Sequence, residues 1–197
     1  MRRELGAIGK RLKSQMDNLI HMEEFTYILI TPAKNEEDNL PTLIESIVNQ
    51  TLRPVVWFIV DDGSKDYSTQ IIEQAASKHS WIRFMRLDTN RAYDLGKYYA
   101  SVCIIGFRQA LFYCEQNNLK FEYIALSDAN MVYREDYFAK CIDFLRNNRQ
   151  FGIVSGKILV KDNEGNIYGE SRIQLGDGEP FGTGSIWRKE TFADTGA

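Results

Sequence analysis

The chain has 197 residues, of which 44% are hydrophobic and 26% are charged. A chain of this length can bury one core that removes roughly 70% of its unfolded surface from water, so one globular domain is the first expectation. The net charge of −3 gives no support to a nucleic-acid-coating function. The three cysteines are widely spaced, which argues against a disulfide framework and indicates a reducing compartment. The chain has only two histidines, which argues against a histidine-based zinc site.

Residues 1–24 differ in pattern from the rest of the chain. Their apolar side chains recur every three or four positions, which predicts an amphipathic helix; these are Leu5, Ile8, Leu12, Met16 and Leu19. Between Met1 and Ile20, five basic side chains stand against two acidic ones, a local balance of +3. Such a helix can lie on an anionic membrane surface, or it can pack on its own domain or on a partner. Both alternatives stay open.

From Tyr27 onward, segments typical of strands and helices alternate. Strands are predicted at 27–31, 55–60, 82–87, 122–127, 153–160 and 166–175, and helices at 39–48, 68–78, 98–113 and 136–147. The helix over 98–113 is apolar nearly all round, so we expect it to be the most buried one. This alternation predicts an α/β domain with a doubly wound, mostly parallel sheet and helices on both faces. Ligands of such sheets bind beyond the carboxyl ends of the strands.

An acidic pair, Asp61 and Asp62, comes directly after the second predicted strand. Adjacent carboxylates repel each other and lose hydration unless something compensates, and Gly63 lets the backbone turn sharply. The pair is suited to a nucleotide pocket, where a carboxylate accepts a hydrogen bond from a base N–H or a ribose hydroxyl. It is equally suited to a turn before a helix, since the helix dipole favours acidic residues there.

A second polar cluster, Asp128-Ala129-Asn130, comes after the fourth predicted strand. Two oxygen-bearing side chains separated by a small residue can face the same point. Hard oxygen ligands suit Mg²⁺ or Mn²⁺, which in turn bridge to phosphates. A plain polar strand end explains the same residues, so the cluster alone leaves the metal site undecided.

The order of these motifs is more specific than any one of them. Pro-Ala-Lys-Asn-Glu-Glu (32–37), Asp-Asp-Gly-Ser (61–64) and Asp-Ala-Asn (128–130) each come after a predicted strand. In the phrases ITPAKNEEDNLPTLIESIVNQT, FIVDDGSKDYST and YIALSDANMVYREDYF, the chain resembles the family 2 glycosyltransferases of the GT-A fold. The resemblance runs from about Tyr27 to Gly196, so residues 25–197 are expected to form a nucleotide-sugar-binding domain.

The resemblance implies roles for individual residues. It implies a nucleoside pocket lined by Thr31, Pro32, Asn35 and Glu36, with recognition of base and ribose by Asp61 and Asp62. It places Asp128 and Asn130 on the family's Asp-x-Asp motif, which contacts the donor sugar and holds Mg²⁺ or Mn²⁺ on the diphosphate. It puts Arg91 and Lys97 near the diphosphate and sugar, although a solvated basic loop explains them equally. It brings Gly182 and Gly184 near the donor sugar, although a plain flexible loop explains these glycines equally.

Two positions depart from the family pattern. An aromatic residue often stands at the position of Lys34, so stacking on the base from that side chain is in doubt. Asn130 replaces the usual acid; its amide carbonyl can still ligate a hard cation, but without a formal charge.

The implied function is transfer of a sugar from a UDP- or GDP-linked donor to a hydroxyl of a lipid, polysaccharide or protein glycan, with inversion and with metal dependence. The family's general base normally comes after the segment that matches RKETFADTGA, and because this chain stops at Ala197 we cannot name that base; Asp177 and Glu179 are weak candidates. The expected alternative is a non-catalytic nucleotide-sugar-binding domain or an inactive truncated fragment. We expect a cytoplasmic protein, with the N-terminal helix as a candidate contact to the inner face of a membrane.

Overall fold

The computed structural model describes residues 26–88, 97–156, 159–161, 167–170 and 183–194. The helix predicted over residues 1–24 lies outside these ranges. The strands are β1 (Tyr27–Ala33), β2 (Val56–Asp61), β3 (Ile82–Arg86), β4 (Tyr123–Leu126), β5 (Ile153–Val154), β6 (Leu159–Lys161), β7 (Ile167–Glu170) and β8 (Ile186–Arg188). The helices are α1 (Leu40–Val48), α2 (Ser68–Lys78), α3 (Lys97–Gln116), α4 (Tyr137–Asn147) and α5 (Lys189–Asp194).

The main sheet of the described chain has the strand order β3-β2-β1-β4-β8-β5. Strands β1 to β4 are parallel, whereas β8 pairs antiparallel with both β4 and β5. The chain moves outward from β1 to β3 and then returns through α3 to place β4 on the other side of β1. The order of strands therefore switches between β1 and β4, and this is where a doubly wound sheet opens a crevice for a ligand. The predicted mixed α/β fold is confirmed.

Helices cover both faces of this sheet, as the pattern of apolar residues predicts. One face packs against α1, α2 and α4 through a cluster that includes Leu43, Ile72 and Phe138. The other face packs against α3 and α5 through a cluster that includes Phe107 and Phe192. Burial of this apolar surface is the main term that stabilises the domain.

Helix α3 lies very close to the sheet because of Gly106. A Cβ atom there would stand 2.7 Å from Cγ2 of Ile30 on β1 and 3.0 Å from Cγ2 of Val60 on β2. A larger side chain would push the helix off the two central strands. This close approach holds the first turn of α3 above the carboxyl ends of those strands.

Two predicted elements need correction. The single strand expected over 153–160 is wrong, because β5 belongs to the main sheet while β6 pairs with β7 in a separate two-stranded sheet. Helix α3 runs from residue 97 to residue 116 and is not buried all round: Ile104 and Phe112 are exposed on its outer face. The hydropathy of α3 predicts its type but not which of its faces packs on the sheet.

Candidate functional site

The loops after β1 and β2 are joined by hydrogen bonds between main chain and side chain. The Asn35 amide donates to Ser64 Oγ (3.0 Å), and Asn35 Oδ1 accepts from the Lys65 amide (2.8 Å). The Glu36 amide donates to Ser68 Oγ (2.7 Å). Asn35 has a φ of 54°, which asparagine tolerates better than most residues. Among the predicted pocket residues, Asn35 is exposed and Glu36 is half-buried, and both connect the two loops.

Asp61 ends β2 and is fully buried beneath this pair of loops. Its Oδ1 accepts from the Ser64 amide (2.9 Å), and its Oδ2 accepts from the Thr69 hydroxyl and lies 3.5 Å from Nη1 of Arg86. Arg86 also donates to the Ser64 carbonyl (2.8 Å). The resemblance implies contact of Asp61 with the nucleotide, but this geometry gives the carboxylate a supporting position under the loop.

Asp62 is the member of the acidic pair that turns toward α3. Its Oδ2 accepts from the Lys34 ammonium group (3.0 Å), and its Oδ1 accepts from the hydroxyl of Tyr98 (2.7 Å). The ammonium group of Lys34 also lies 5.6 Å from the centre of the Tyr98 ring. Lys34, which stands where the family often has an aromatic side chain, therefore forms an ion pair with Asp62.

Asp128 lies just beyond the end of β4 and is half-buried. Its Oδ1 accepts from the hydroxyl of Tyr99, and its amide donates to Thr183 Oγ1 (2.9 Å). Burial raises the pKa of Tyr99, and the hydrogen bond to the Asp128 carboxylate raises it further, so Tyr99 stays a proton donor. One turn along α3, burial raises the pKa of the Cys103 thiol to about 11, which keeps that group neutral.

Two consecutive tyrosines therefore connect the two predicted motifs. Tyr98 donates to Asp62 after β2, and Tyr99 donates to Asp128 after β4. Hydrogen bonds from one helical turn to both carboxylates require that the two strand ends lie close together at the same edge of the sheet. The predicted convergence of the acidic motifs is thus observed, on the edge of the sheet where the strand order switches.

The donor set at the end of β4 fits a hard divalent cation in its chemistry. Asp128 supplies a carboxylate, and Asn130 is exposed two residues further on and supplies an amide oxygen. Within the described residues, no group of three or more His, Cys, Asp or Glu side chains could hold a metal ion. A cation here would depend on the phosphates of a nucleotide for its remaining ligands, as Mg²⁺ sites commonly do.

The remaining predicted site residues fall into two groups. The side chain of Thr31 is fully buried in β1, where its Oγ1 accepts from Trp57 Nε1 (2.9 Å) inside the core; Pro32 is buried as well. Lys97 begins α3, but its side chain is not described, and Arg91 lies outside the described residues. The predictions for Asp177, Glu179 and Gly182 also concern positions that the structure does not describe.

Sequence reasoning missed the hydroxyl groups that hold the carboxylates. The apolar pattern over 98–113 predicts a helix but gives no role to Tyr98 and Tyr99, and Thr183 lies in a stretch whose glycines are its main feature. A signal was available, since a helix that starts with two tyrosines next to a sheet edge presents two hydroxyl groups there. The three cysteines are free and buried, as predicted.

Comparison with known proteins identifies the family. The model of glycosyl transferase family 2 matches residues 28–195, which is most of the chain. The chain belongs to this family. The resemblance drawn from the three motifs is confirmed, and so is the prediction of a glycosyltransferase domain.

Solved structures similar to this chain have the same fold. TarS from S. aureus, in complex with UDP-GlcNAc, superposes on this chain with a TM-score of 0.62 at 19% identity. The superposition covers 87% of this chain and 47% of the TarS chain. The mannosyltransferase PcManGT from Pyrobaculum calidifontis, in complex with GDP-Man and Mn²⁺, superposes with a TM-score of 0.58 at 16% identity, covering 87% and 46%. At these identities the likeness establishes the GT-A fold alone.

A relative from Borreliella burgdorferi, a cholesterol galactosyltransferase, is 34% identical over 68 residues, which is 34% of this chain and 18% of the relative. In these comparisons, this chain spans less than half the length of the TarS and PcManGT chains. It matches a smaller share of the Borreliella protein. Among the helices of the described residues, none is long and apolar enough to cross a bilayer.

Proposed function

We propose that this chain binds a UDP- or GDP-linked sugar and transfers the sugar to an acceptor hydroxyl, with help from Mg²⁺ or Mn²⁺ and with inversion at the anomeric carbon. One observation supports this most strongly: the hydroxyls of Tyr98 and Tyr99 connect Asp62 and Asp128 across one crevice. A nucleotide sugar needs a polar nucleoside pocket and a site for its diphosphate next to each other. The UDP-GlcNAc of TarS and the GDP-Man and Mn²⁺ of PcManGT guide the choice of donor and cation.

Each side chain then has a definite task. Asp62 accepts hydrogen bonds from the base or ribose, while the ion pair with Lys34 holds the carboxylate in place. Asp128 and Asn130 hold the cation, with Tyr99 fixing the orientation of the Asp128 carboxylate. A bound cation offsets the negative charge of the diphosphate and so makes the nucleoside diphosphate a better leaving group.

The acceptor is a hydroxyl of a lipid, polysaccharide or protein glycan. We place lipids first, because the Borreliella relative is a cholesterol galactosyltransferase. A basic helix in residues 1–24, with its local charge of +3, would bring the domain to an anionic membrane surface where such acceptors lie. We expect such an enzyme to act at the cytoplasmic face of the membrane.

A thermal-shift screen tests the proposal. We expect UDP or GDP to raise the melting temperature more than CDP, and Mn²⁺ to increase that shift, because a ligand that binds the folded state stabilises it by mass action. Asp128→Ala should remove the Mn²⁺-dependent part, and Asp62→Ala should weaken the preference among nucleotides. The matched control is Asp143→Ala, which removes an exposed carboxylate of α4. If nucleotide and Mn²⁺ shift the melting temperature of Asp62→Ala and of Asp128→Ala as much as that of the unmodified chain, this crevice is not the donor site.

A second candidate is a domain that binds the nucleotide sugar without catalysis. Asn130 favours it, because an exposed amide where the family usually has an acid gives the cation one negative charge less. Hydrolysis of the donor separates the two candidates. Slow release of free sugar from UDP- or GDP-sugars in the presence of Mn²⁺ supports the enzyme, whereas tight binding with no release supports the binding domain.

A further inference from the structure

The hydroxyl of Tyr137 joins two backbone segments that are far apart in sequence. Tyr137 is the first residue of α4, and its hydroxyl donates to the Gly184 carbonyl (2.7 Å). The same oxygen accepts from the Gly156 amide (2.7 Å), just beyond the end of β5. One hydroxyl therefore satisfies a carbonyl and an amide at once, which only a group that both donates and accepts can do.

The position of this hydroxyl is fixed from both sides. The ring of Tyr137 packs against Tyr133 and Phe138, with ring centres 4.8 and 5.2 Å away. On the other side, Gly184 has a φ of 71°, and a Cβ atom there would lie 2.9 Å from the Tyr137 oxygen. Glycine is thus required both by the backbone conformation and by the closeness of the hydroxyl.

The turn that Tyr137 holds is the one that contacts Asp128. The Gly184 amide donates to the Leu126 carbonyl (2.8 Å), next to the end of β4. Thr183, one residue earlier, accepts from the Asp128 amide through its Oγ1 (2.9 Å). A continuous path of hydrogen bonds therefore runs from the Tyr137 hydroxyl through the turn to the backbone of Asp128.

We propose that Tyr137 is a positioning residue for Asp128, which it holds through the turn at Thr183 and Gly184. The part of this inference that concerns the cation rests on the proposed function. Tyr137 itself touches neither donor nor cation. Its hydroxyl restricts the turn, the turn restricts the Asp128 backbone, and the carboxylate is thereby held where it can ligate a cation on the diphosphate.

The test compares Tyr137→Phe with the unmodified chain in two measurements. Amide hydrogen exchange reports directly on the turn, and we expect the Asp128 and Gly184 amides to exchange about tenfold faster in the variant. Titration of Mn²⁺ into the UDP-bound chain reports on the site, and we expect the half-saturating concentration to rise about tenfold. The affinity for UDP without metal should stay unchanged, because the hydrogen bonds that hold Asp62 do not involve Tyr137. A merely destabilising change would lower the melting temperature without this difference between metal and nucleotide.

Two further variants make the result decisive. Tyr113→Phe is the matched control, since it removes a hydroxyl that accepts from Arg83 (2.8 Å) near the far end of α3; both measurements should stay unchanged. Thr183→Val keeps the Tyr137 bonds but removes the acceptor for the Asp128 amide, so it should weaken Mn²⁺ binding as Tyr137→Phe does. It also serves if Tyr137→Phe fails to fold.

The possible results separate the two proposals. Unchanged exchange in Tyr137→Phe, or faster exchange with unchanged Mn²⁺ binding, overturns the positioning role. If the unmodified chain shows no Mn²⁺-dependent binding of UDP, it is the proposed function that fails. The exchange measurement still tests Tyr137 in that case: an unchanged exchange rate of the Asp128 amide in Tyr137→Phe would reject the link between Tyr137 and the turn.

Discussion

The carboxylates at the ends of β2 and β4 are held in different ways. At the end of β2, Asp61 lies against the Arg86 guanidinium and Asp62 against the Lys34 ammonium, so each has a cation supplied by the chain. At the end of β4, Asp128 is held by the Tyr99 hydroxyl and by Thr183, and it forms no ion pair with any residue that the structure describes. Among the residues that the structure describes, one strand end is neutralised by basic side chains and the other is not.

This difference indicates which part of a nucleotide sugar each strand end suits. A carboxylate that already has a cation can still accept hydrogen bonds from neutral groups such as a base or a ribose, and it gains little from a metal ion. A carboxylate held by a neutral hydroxyl, as Asp128 is by Tyr99, keeps its charge available for a divalent cation. We therefore propose that the nucleoside lies near β2 and the metal diphosphate near β4.

The largest effect on stability should come from Asp61, at the end of β2. Asp61→Ala leaves the Ser64 amide and the Arg86 guanidinium without their buried partner, which should lower the free energy of unfolding by about 3 kcal/mol. Urea denaturation measures this as a lower midpoint with an unchanged slope. Asp143→Ala, at an exposed site on α4, is the control and should have little effect. A loss of less than about 1 kcal/mol for Asp61→Ala would contradict the supporting role.

Removal of the Lys34 ammonium group should lower the free energy of unfolding by a smaller amount. Lys34→Met deprives Asp62 of its ion pair while Tyr98 still donates to the carboxylate, so we expect a loss of about 2 kcal/mol in the same urea experiment. Lys140→Met removes the ammonium group of an exposed ion pair with Asp136 (2.7 Å) and should change stability much less. Equal effects of the two substitutions would mean that the Lys34 pair is no more than a surface contact.

At the β4 end, the expected effect falls on metal binding instead of stability. Tyr99→Phe removes the hydrogen bond that orients the Asp128 carboxylate, and Mn²⁺ should bind the UDP complex about tenfold more weakly. Tyr113→Phe, on the same helix, provides the control. The idea is wrong if Tyr99→Phe binds Mn²⁺ as tightly as the unmodified chain does.

The smallest effect concerns the pH dependence of the loop between β2 and α2. Slight burial would raise the pKa of Asp66, but hydrogen bonds from the Ser68 hydroxyl and from the Ser68 and Glu37 amides outweigh it and lower that pKa. A carboxyl whose pKa is lowered on folding stabilises the folded state above its unfolded pKa of about 3.9, and this contribution disappears as the pH falls through the folded pKa. Asp66→Asn should therefore reduce stability at pH 6 and make a smaller difference at pH 3. A difference that stays constant between these pH values would contradict the assignment.

The sequence predicts the fold well because the central strands are short apolar runs that end at polar motifs. The runs around Ile28, Phe58 and Ile124 each become a parallel strand, and the motifs after them meet at one edge, since carboxyl ends of parallel strands share an edge. The strand predicted over 153–160 fails because hydropathy does not reveal which sheet a segment joins.

The details of the site are harder to predict because they depend on orientation. Thr31 matches the family's pocket motif, yet strand geometry turns its side chain into the core toward Trp57. Asp61 and Asp62 look equivalent in the sequence and both are buried, but Asp61 contacts Ser64 and Thr69 whereas Asp62 turns toward α3. Tyr98 and Tyr99 show the same limit, because their roles depend on how α3 lies against the sheet, which it approaches closely at Gly106.

The most direct test of the account is the binding of Mn²⁺ in the presence of UDP, monitored by electron paramagnetic resonance of the free ion. We expect the unmodified chain to bind Mn²⁺ only with UDP present, Asp128→Ala to weaken that binding at least about 100-fold, and Asp143→Ala to leave it unchanged. Binding of Mn²⁺ by Asp128→Ala at the strength of the unmodified chain would contradict the claim that the end of β4 is the cation site.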